Sequence, residues 1–287
     1  MSNSNSKQWS SATPGYLIFL VDQSGSMKEK YAEEKTKAEF TALVINRTIT
    51  ELIHANSQGD KIKDRVFISL IGYGGKGGNS IEDIRSDYLS KFAETPARFE
   101  HTKKKVSDGA GGLVEIDEQM PIFLEPIANG LTPMGEALKF AKELIEGWLQ
   151  RKPDNPAPII INISDGLPYN GQDDKEKDLA VRISKEIMNM SSVDGAPVIF
   201  NAHIGNGRHN AHDFAENEAS LPDEQTKFLY TISSIIPKSY KQNAKKYDLV
   251  FMPQSRGFIS NAKPEKFIAF IDLGSFGPGE DLVNTFT

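Results

Sequence analysis

Residues 16–26, which read YLIFLVDQSGS, are the most informative stretch of this chain. Residues 16–21 form an apolar run with the length and the β-branched and aromatic content of a buried strand. The run ends in Asp22, and the hydroxyl side chains of Ser24 and Ser26 follow around a glycine that allows a turn. Loops at the carboxyl ends of strands are where α/β sheets bind ligands. The pattern therefore predicts a buried strand that ends in a ligand-binding loop.

The same loop supplies the ligand atoms that a hard cation prefers. One carboxylate and two hydroxyls offer only oxygen donors, which suit Mg²⁺. Taken singly, Ser24 and Ser26 fit an ordinary helix N-cap even better. The loop alone leaves capping and metal binding open.

Two later segments have matching features. Residues 130–138, GLTPMGEAL, place Thr132 before a proline at a predicted helix start. Residues 158–166, PIIINISDG, form a second apolar strand that ends in Asp165 and a glycine. Each segment by itself also fits a cap or a turn. All five side chains occur in the expected order on the expected elements, and this combination favours a metal site. The five are Asp22, Ser24, Ser26, Thr132 and Asp165.

These residues resemble the metal-ion-dependent adhesion site of the von Willebrand factor A (vWA) domain. Asp22, Ser24, Ser26, Thr132 and Asp165 fall on the five family positions, and the resemblance covers roughly residues 14 to 274. It is to the stand-alone bacterial type, such as the tellurite-resistance-associated proteins. It implies that the three hydroxyls bind Mg²⁺ directly, with Mn²⁺ and Ca²⁺ as alternatives. Asp22 and Asp165 would act mainly through bound water or hydroxyl groups.

The resemblance also implies a class of partner. A bound dication is the largest local charge in such a site and attracts an anionic oxygen. The expected partner is therefore a protein that donates an acidic side chain. Stand-alone bacterial members of the family work as scaffolds or regulators beside a kinase, a phosphatase or an ATPase, and a stress-response or defence system would fit. A non-enzymatic binding module is the expected function.

A metal-dependent hydrolase is the alternative function. In this alternative, residues 74–112 form a lid over Asp22, and the site cleaves a phosphoester. The sequence lacks the Asp-x-Asp of an aspartyl-phosphate phosphatase, because position 24 is Ser. It also lacks a Gly-x-Ser-x-Gly nucleophile elbow. The absence of a catalytic constellation favours binding over catalysis.

Composition narrows the class of protein further. The 287 residues include 38% hydrophobic and 25% charged residues, as in ordinary globular proteins. The formal net charge of −6 argues against nucleic acid as the main partner. The absence of cysteine excludes disulfides, thiolate metal sites and a Cys nucleophile. No apolar run approaches the ~20 residues of a membrane span, and residues 1–11 lack a signal core, so a cytoplasmic protein without membrane contact is expected.

Strand and helix patterns alternate along the chain. We therefore expect an α/β fold with a doubly wound, mostly parallel central sheet, helices on both faces and one short antiparallel edge strand, the Rossmann-like vWA fold. The predicted strands are 16–21, 64–73, 113–116, 158–164, 197–204 and 257–259. The predicted helices are 33–56, 134–150, 173–190, 226–235 and 264–273.

The same patterns predict one domain with three less regular regions. Residues 14–274 are expected to form the vWA domain, preceded by a disordered polar segment, residues 1–13. Residues 275–287 are expected to form a C-terminal tail. Residues 74–112 are glycine-rich and too long for an ordinary loop, which predicts an insertion with short elements of its own near the metal-binding face.

Overall fold

The structure, a computed structural model, describes residues 5–32, 34–107, 113–171, 174–205 and 210–277. The strands in these ranges are β1 (Gly15–Asp22), β2 (Lys30–Ala32), β3 (Lys35–Thr36), β4 (Ser57–Gln58), β5 (Lys61–Ile62), β6 (Val66–Gly74), β7 (Ser80–Tyr88), β8 (Arg98–Ser107), β9 (Leu113–Ile122), β10 (Ile159–Ser164), β11 (Val198–His203), β12 (His212–Asp213) and β13 (Phe258–Ser260). The helices are α1 (Lys37–Ala55), α2 (Leu89–Glu94), α3 (Met134–Arg151), α4 (Lys175–Met188), α5 (Glu224–Thr231), α6 (Lys241–Lys246) and α7 (Pro264–Ser275).

The central sheet has seven strands in the order β12-β13-β11-β10-β1-β6-β7. Its five inner strands are parallel to one another, whereas the edge strands β12 and β7 run antiparallel to them. The predicted α/β class with a mostly parallel sheet is confirmed, with two antiparallel edges in place of the one expected. Strand order reverses between β1 and β10, which is where open α/β sheets bind ligands.

Helices cover both faces of the sheet. Successive side chains of a strand point to opposite faces of the sheet. The side chains of β1 therefore pack alternately into two hydrophobic cores, one on each face. Leu17, Phe19 and Val21 pack in the core that contains α1 and α7. The intervening side chains of β1 pack in the core that contains α3, α4 and α5. Burial on both faces explains why the sequence of β1 is continuously apolar and does not alternate.

Residues 80–88, which lie within the predicted insertion 74–112, belong to the central sheet. They form β7, which pairs with β6 from Phe67↔Tyr88 to Gly74↔Ser80 and completes the central sheet. The predicted strand 113–116 is the start of the longer β9, which pairs with β8 in a separate hairpin and not with the central sheet.

One buried side chain, Asn46 of α1, joins this hairpin to the domain. Its Nδ2 donates to the carbonyl oxygen of Leu124 at 2.9 Å. Its Oδ1 accepts from the backbone N–H groups of Phe123 and Leu124, both at 2.9 Å. The three bonds pair backbone polar groups of the two residues that directly follow β9. They therefore fix the base of the hairpin against α1.

The described part of the N-terminus is packed against the domain, although residues 1–13 were expected to be disordered. Trp9 is only 7% exposed and belongs to the core beside α1 and α7. The backbone N–H of Asn5 donates to the carbonyl oxygen of Asp194 at 2.7 Å. Among the predicted segments, residues 1–4, 33, 108–112, 173 and 278–287 lie outside the described residues. None of the helices within the described ranges has both the length and the apolar character needed to cross a membrane.

Candidate metal centre

The two predicted carboxylates meet because their strands are parallel neighbours. β1 pairs with β10 up to Val21↔Ile163, so the carboxyl ends of the two strands lie side by side. Asp22 ends β1, and Asp165 follows β10 directly. Asp22 is buried, and the side chain of Asp165 is 5% exposed. The sheet register thus places two buried carboxylates at the switch point, the position between β1 and β10 where the strand order reverses.

Hydrogen bonds fix the orientation of the Asp22 carboxylate. Its Oδ1 accepts from the backbone N–H of Ser24 at 2.9 Å, and its Oδ2 accepts from the Ser164 hydroxyl at 2.6 Å. Ser164 was not singled out from the sequence, where it reads as the last residue of a buried strand. In the sequence, only its place directly before Asp165 could have indicated a role for Ser164 in the site. The pairing of β10 with β1 then brings it beside Asp22.

The two loop hydroxyls lie next to each other and reach the second carboxylate. Ser24 Oγ is 3.1 Å from Ser26 Oγ, and Ser26 Oγ donates to Asp165 Oδ1 at 2.8 Å. A single 3₁₀ turn, Gly25–Lys28, brings the two serines together. The Ser24 side chain makes no capping hydrogen bond to this turn. The capping interpretation therefore does not account for Ser24, and its hydroxyl faces the cluster.

Backbone hydrogen bonds hold the Thr132 loop against the Asp22 loop. Gly25 N donates to Gly130 O at 3.0 Å, and Asn129 N donates to Gln23 O at 2.6 Å. Thr132 itself is 9% exposed, and the residue that caps α3 is Pro133, without a side-chain bond. The structure therefore brings the loop of the fifth predicted residue to the same edge of the sheet.

A glycine turn supports both loops from the β6 side. Gly78 O accepts from Leu131 N at 2.6 Å, and Gly75 N donates to Gln23 O at 3.3 Å. Gly74 has a φ of +87°, and a Cβ atom there would lie 2.3 Å from Leu131 O. Only glycine fits this approach. The first residues of the segment 74–112 therefore contact the loops that carry Asp22 and Thr132.

Lys37, which the sequence did not single out, also belongs to the cluster. Its side chain is 4% exposed, and its Nζ lies 2.8 Å from Asp165 Oδ2 and 2.7 Å from Glu29 Oε2. Burial works against its charged form, but hydrogen bonds to Asp165 and Glu29 outweigh that effect, so the pKa of Lys37 is raised. In the structure Lys37 is the first residue of α1, where the helix dipole disfavours a cation. The sequence predicted a helix from residue 33 and gave no such signal.

The electrostatics of the cluster favour a bound cation. Burial, followed by repulsion from Asp165, raises the pKa of Asp22 to about 6, although hydrogen bonds from Ser164 and Ser24 oppose the rise. A positive charge nearby would offset both the loss of solvation and the repulsion. Lys37 supplies one such charge on the Asp165 side, and within the part of the chain that the structure describes no cation pairs with Asp22.

The donor set fits a hard divalent cation. Hydroxyl and carboxylate oxygens are the ligands that Mg²⁺ prefers, and Mg²⁺ keeps several waters in its shell. Across the described ranges, no group of three or more His, Cys, Asp and Glu side chains could hold a metal. A metal at this edge would therefore depend on the serine and threonine hydroxyls and on water.

Comparisons with known proteins give likeness of fold only. No family model and no curated protein matches the sequence. Proximal thread matrix protein 1 from the mussel byssus aligns with 93% of this chain and 47% of its own length, at 13% identity and a TM-score of 0.44. Manganese-loaded TRAP protein from Plasmodium vivax aligns with 72% of this chain and 59% of its own length, at 13% identity and a TM-score of 0.32.

A third similar structure is the vWF domain of the type V pili tip protein Mfa5 from Porphyromonas gingivalis. It aligns with 61% of this chain and 50% of its own length, at 14% identity and a TM-score of 0.30. The chain thus spans about half of the length of these three structures. At such identities and TM-scores the likeness carries no argument about function.

Proposed function

We propose that this chain is a metal-dependent protein-binding module of the vWA type, which recognises a partner carboxylate through a bound Mg²⁺. One observation carries the proposal. The hydroxyls of Ser24 and Ser26 and the carboxylates of Asp22 and Asp165 form one cluster at the switch point of the sheet. The loop of Thr132 is bonded to the same place.

The residues of the cluster would divide the work of holding the ion. The hydroxyls of Ser24, Ser26 and Thr132 would bind Mg²⁺ directly. Asp22 and Asp165 would orient hydroxyls and bound water. Neutral hydroxyl ligands leave much of the charge of the ion uncompensated, and that charge attracts an anionic oxygen. An Asp or Glu side chain of a partner is the natural source of such an oxygen.

The environment of Asp22 supports binding over hydrolysis. A carboxylate nucleophile needs an oxygen that is free to attack its substrate. Both Asp22 oxygens accept hydrogen bonds, and the side chain is buried. The hydroxyl of Ser26 donates to Asp165 Oδ1, and the other oxygen of that carboxylate is paired with Lys37, so both Asp165 oxygens already have partners. We accordingly propose that the ion holds a partner and that no bond is cleaved.

The class of partner and the setting are proposed from the sequence resemblance. The partner would be a kinase, a phosphatase or an ATPase, and the chain would act as a scaffold or regulator in a bacterial stress-response or defence system. The setting would be cytoplasmic, and neither nucleic acid nor a membrane would be bound.

A capture experiment tests the proposed function. The immobilised chain is incubated with a bacterial extract in Mg²⁺ or in EDTA, and captured proteins are identified. A Ser26→Ala variant removes a proposed ligand. As the matched control, Ser57→Ala removes an exposed hydroxyl that donates to Ile53 O. Metal-dependent capture that is lost in Ser26→Ala, kept in Ser57→Ala and abolished by amidating one acidic residue of the partner supports the proposal.

Two results would overturn it. Undiminished capture in EDTA would show that the cluster is not the binding site. Steady product formation from a panel of phosphoesters, abolished by Ser26→Ala, would assign the site to a hydrolase.

A further inference from the structure

A buried lysine is the least expected feature of the cluster. Lysine is almost never fully buried unless it is paired, and Lys37 also begins a 19-residue helix, at the end where the dipole disfavours a cation. Its backbone N–H donates to Glu29 O at 2.8 Å, which holds the start of the helix against the serine loop. The side chain is therefore kept in an unfavourable environment by its two carboxylate partners.

The position of Lys37 determines what Asp165 can do. A carboxylate only accepts, and it has two oxygens. Oδ2 of Asp165 accepts from Lys37 at 2.8 Å, and Oδ1 accepts from Ser26 at 2.8 Å. A cation bound at the serine hydroxyls would therefore lie nearer to Oδ1 of Asp165 than to Oδ2, which is bonded to Lys37. Engaging both oxygens would break the ion pair and leave a buried ammonium beside a single, half-exposed Glu29.

Mg²⁺ and Ca²⁺ differ in the property that this pairing controls. Ca²⁺ takes six to eight oxygens and often binds a carboxylate through both of them, whereas Mg²⁺ takes six in an octahedron and keeps its waters. A site in which one carboxylate oxygen is already occupied suits the ion that needs fewer protein oxygens. The single positive charge of Lys37 also lowers the attraction of the site for any dication.

We propose that Lys37 is a specificity-determining residue of this site, which restricts Asp165 to one oxygen and thereby selects Mg²⁺ over Ca²⁺. This inference rests on the proposed function, because it concerns the ion of the same site. Lys37 touches neither the ion nor the partner, and it acts through Asp165.

The test compares the affinities of two ions in three chains. Calorimetric titrations with Mg²⁺ and with Ca²⁺ are made on the unmodified protein, on Lys37→Met and on Glu29→Gln. Methionine keeps the length and apolar stem of lysine and removes the donor. Glu29→Gln is the matched control, because it perturbs the other partner of Lys37 and leaves the Asp165 pair in place. Melting curves verify that each variant folds.

Lys37→Met should raise the affinity for Ca²⁺ about tenfold or more and that for Mg²⁺ by a clearly smaller factor, so the preference for Mg²⁺ shrinks. Glu29→Gln should leave the ratio of the two affinities unchanged. Equal factors for the two ions in Lys37→Met, or no change, would overturn the inference, since loss of charge alone strengthens both equally.

The unmodified protein provides an independent measurement if Lys37→Met does not fold. Competition between the two ions should show tighter binding of Mg²⁺, and a preference for Ca²⁺ would overturn the inference while leaving the metal site intact. Binding of neither ion would instead overturn the proposed function, and the inference with it.

Discussion

Replacing Asp22 by asparagine should stabilise the metal-free protein and remove its response to Mg²⁺. Burial and the neighbouring Asp165 raise the pKa of Asp22 from 3.8 to about 6. A carboxyl group with a raised pKa in the folded state contributes stability that is present below its unfolded pKa and lost as the pH rises through about 6. At about 1.4 kcal/mol per pKa unit, the ionised group costs about 3 kcal/mol at higher pH.

The asparagine side chain fits the same hydrogen bonds. Its oxygen accepts from the backbone N–H of Ser24, and its amide group donates to Ser164 Oγ, so little is lost except the charge. In urea unfolding with EDTA at about pH 8, Asp22→Asn should therefore gain up to about 3 kcal/mol. Saturating Mg²⁺ should stabilise the unmodified protein by mass action and leave the variant unchanged.

Asp272→Asn is the matched control for this measurement. Asp272 is a second buried carboxylate with a raised pKa, but its partners are Thr48 and Arg47. The Asp272→Asn variant should also be more stable than the unmodified protein in EDTA, and it should still be stabilised by Mg²⁺. A loss of stability in Asp22→Asn would refute the charge-burial reasoning. An unchanged Mg²⁺ response in that variant would refute the assignment of Asp22 to the site.

Three further predictions concern the rest of the fold. Burial, then Glu51, raises the pKa of Asp272 to about 7, so stability from this group is lost as the pH rises through 7. The advantage of Asp272→Asn in urea should grow by up to about 4 kcal/mol from acid to alkaline pH, and a constant difference would contradict this. Asn46→Ala leaves three backbone groups unpaired and should cost about 2–4 kcal/mol, with faster hydrogen exchange at residues 122–124; unchanged exchange there would count against it. Trp9→Ala should cost about 3–5 kcal/mol in urea unfolding, and a change under about 1 kcal/mol would show that residues 5–13 add little to stability.

The parts of the fold that the sequence predicts are those with local signals. β1 and β10 are buried on both faces, so each reads as an unbroken apolar run, and the polar residues at their ends mark one edge of the sheet. The sequence of β7, SIEDIRSDY, gives no such signal, because an edge strand with charged, half-exposed side chains resembles a loop. Its place follows from pairing with β6, which a local pattern does not contain.

The sequence predicted those residues of the site whose side chains are common ligands of a hard cation. Hydroxyls and carboxylates that follow strands pointed to Asp22, Ser24, Ser26, Thr132 and Asp165, and the structure brings their segments to one edge. Lys37 is not such a ligand. Its partner Asp165 lies 128 residues away along the chain, so only the folded register shows the pair.

We propose that these side chains hold one divalent ion between the carboxyl ends of β1 and β10. Anomalous diffraction from crystals grown with Mn²⁺ tests it directly, because Mn²⁺ takes the oxygen ligands of Mg²⁺ and is visible by its own scattering. We predict one peak within bonding distance of the Ser24 and Ser26 hydroxyls, between Asp22 and Asp165. A fully occupied Mn²⁺ elsewhere with no peak at this position would contradict the proposed metal site.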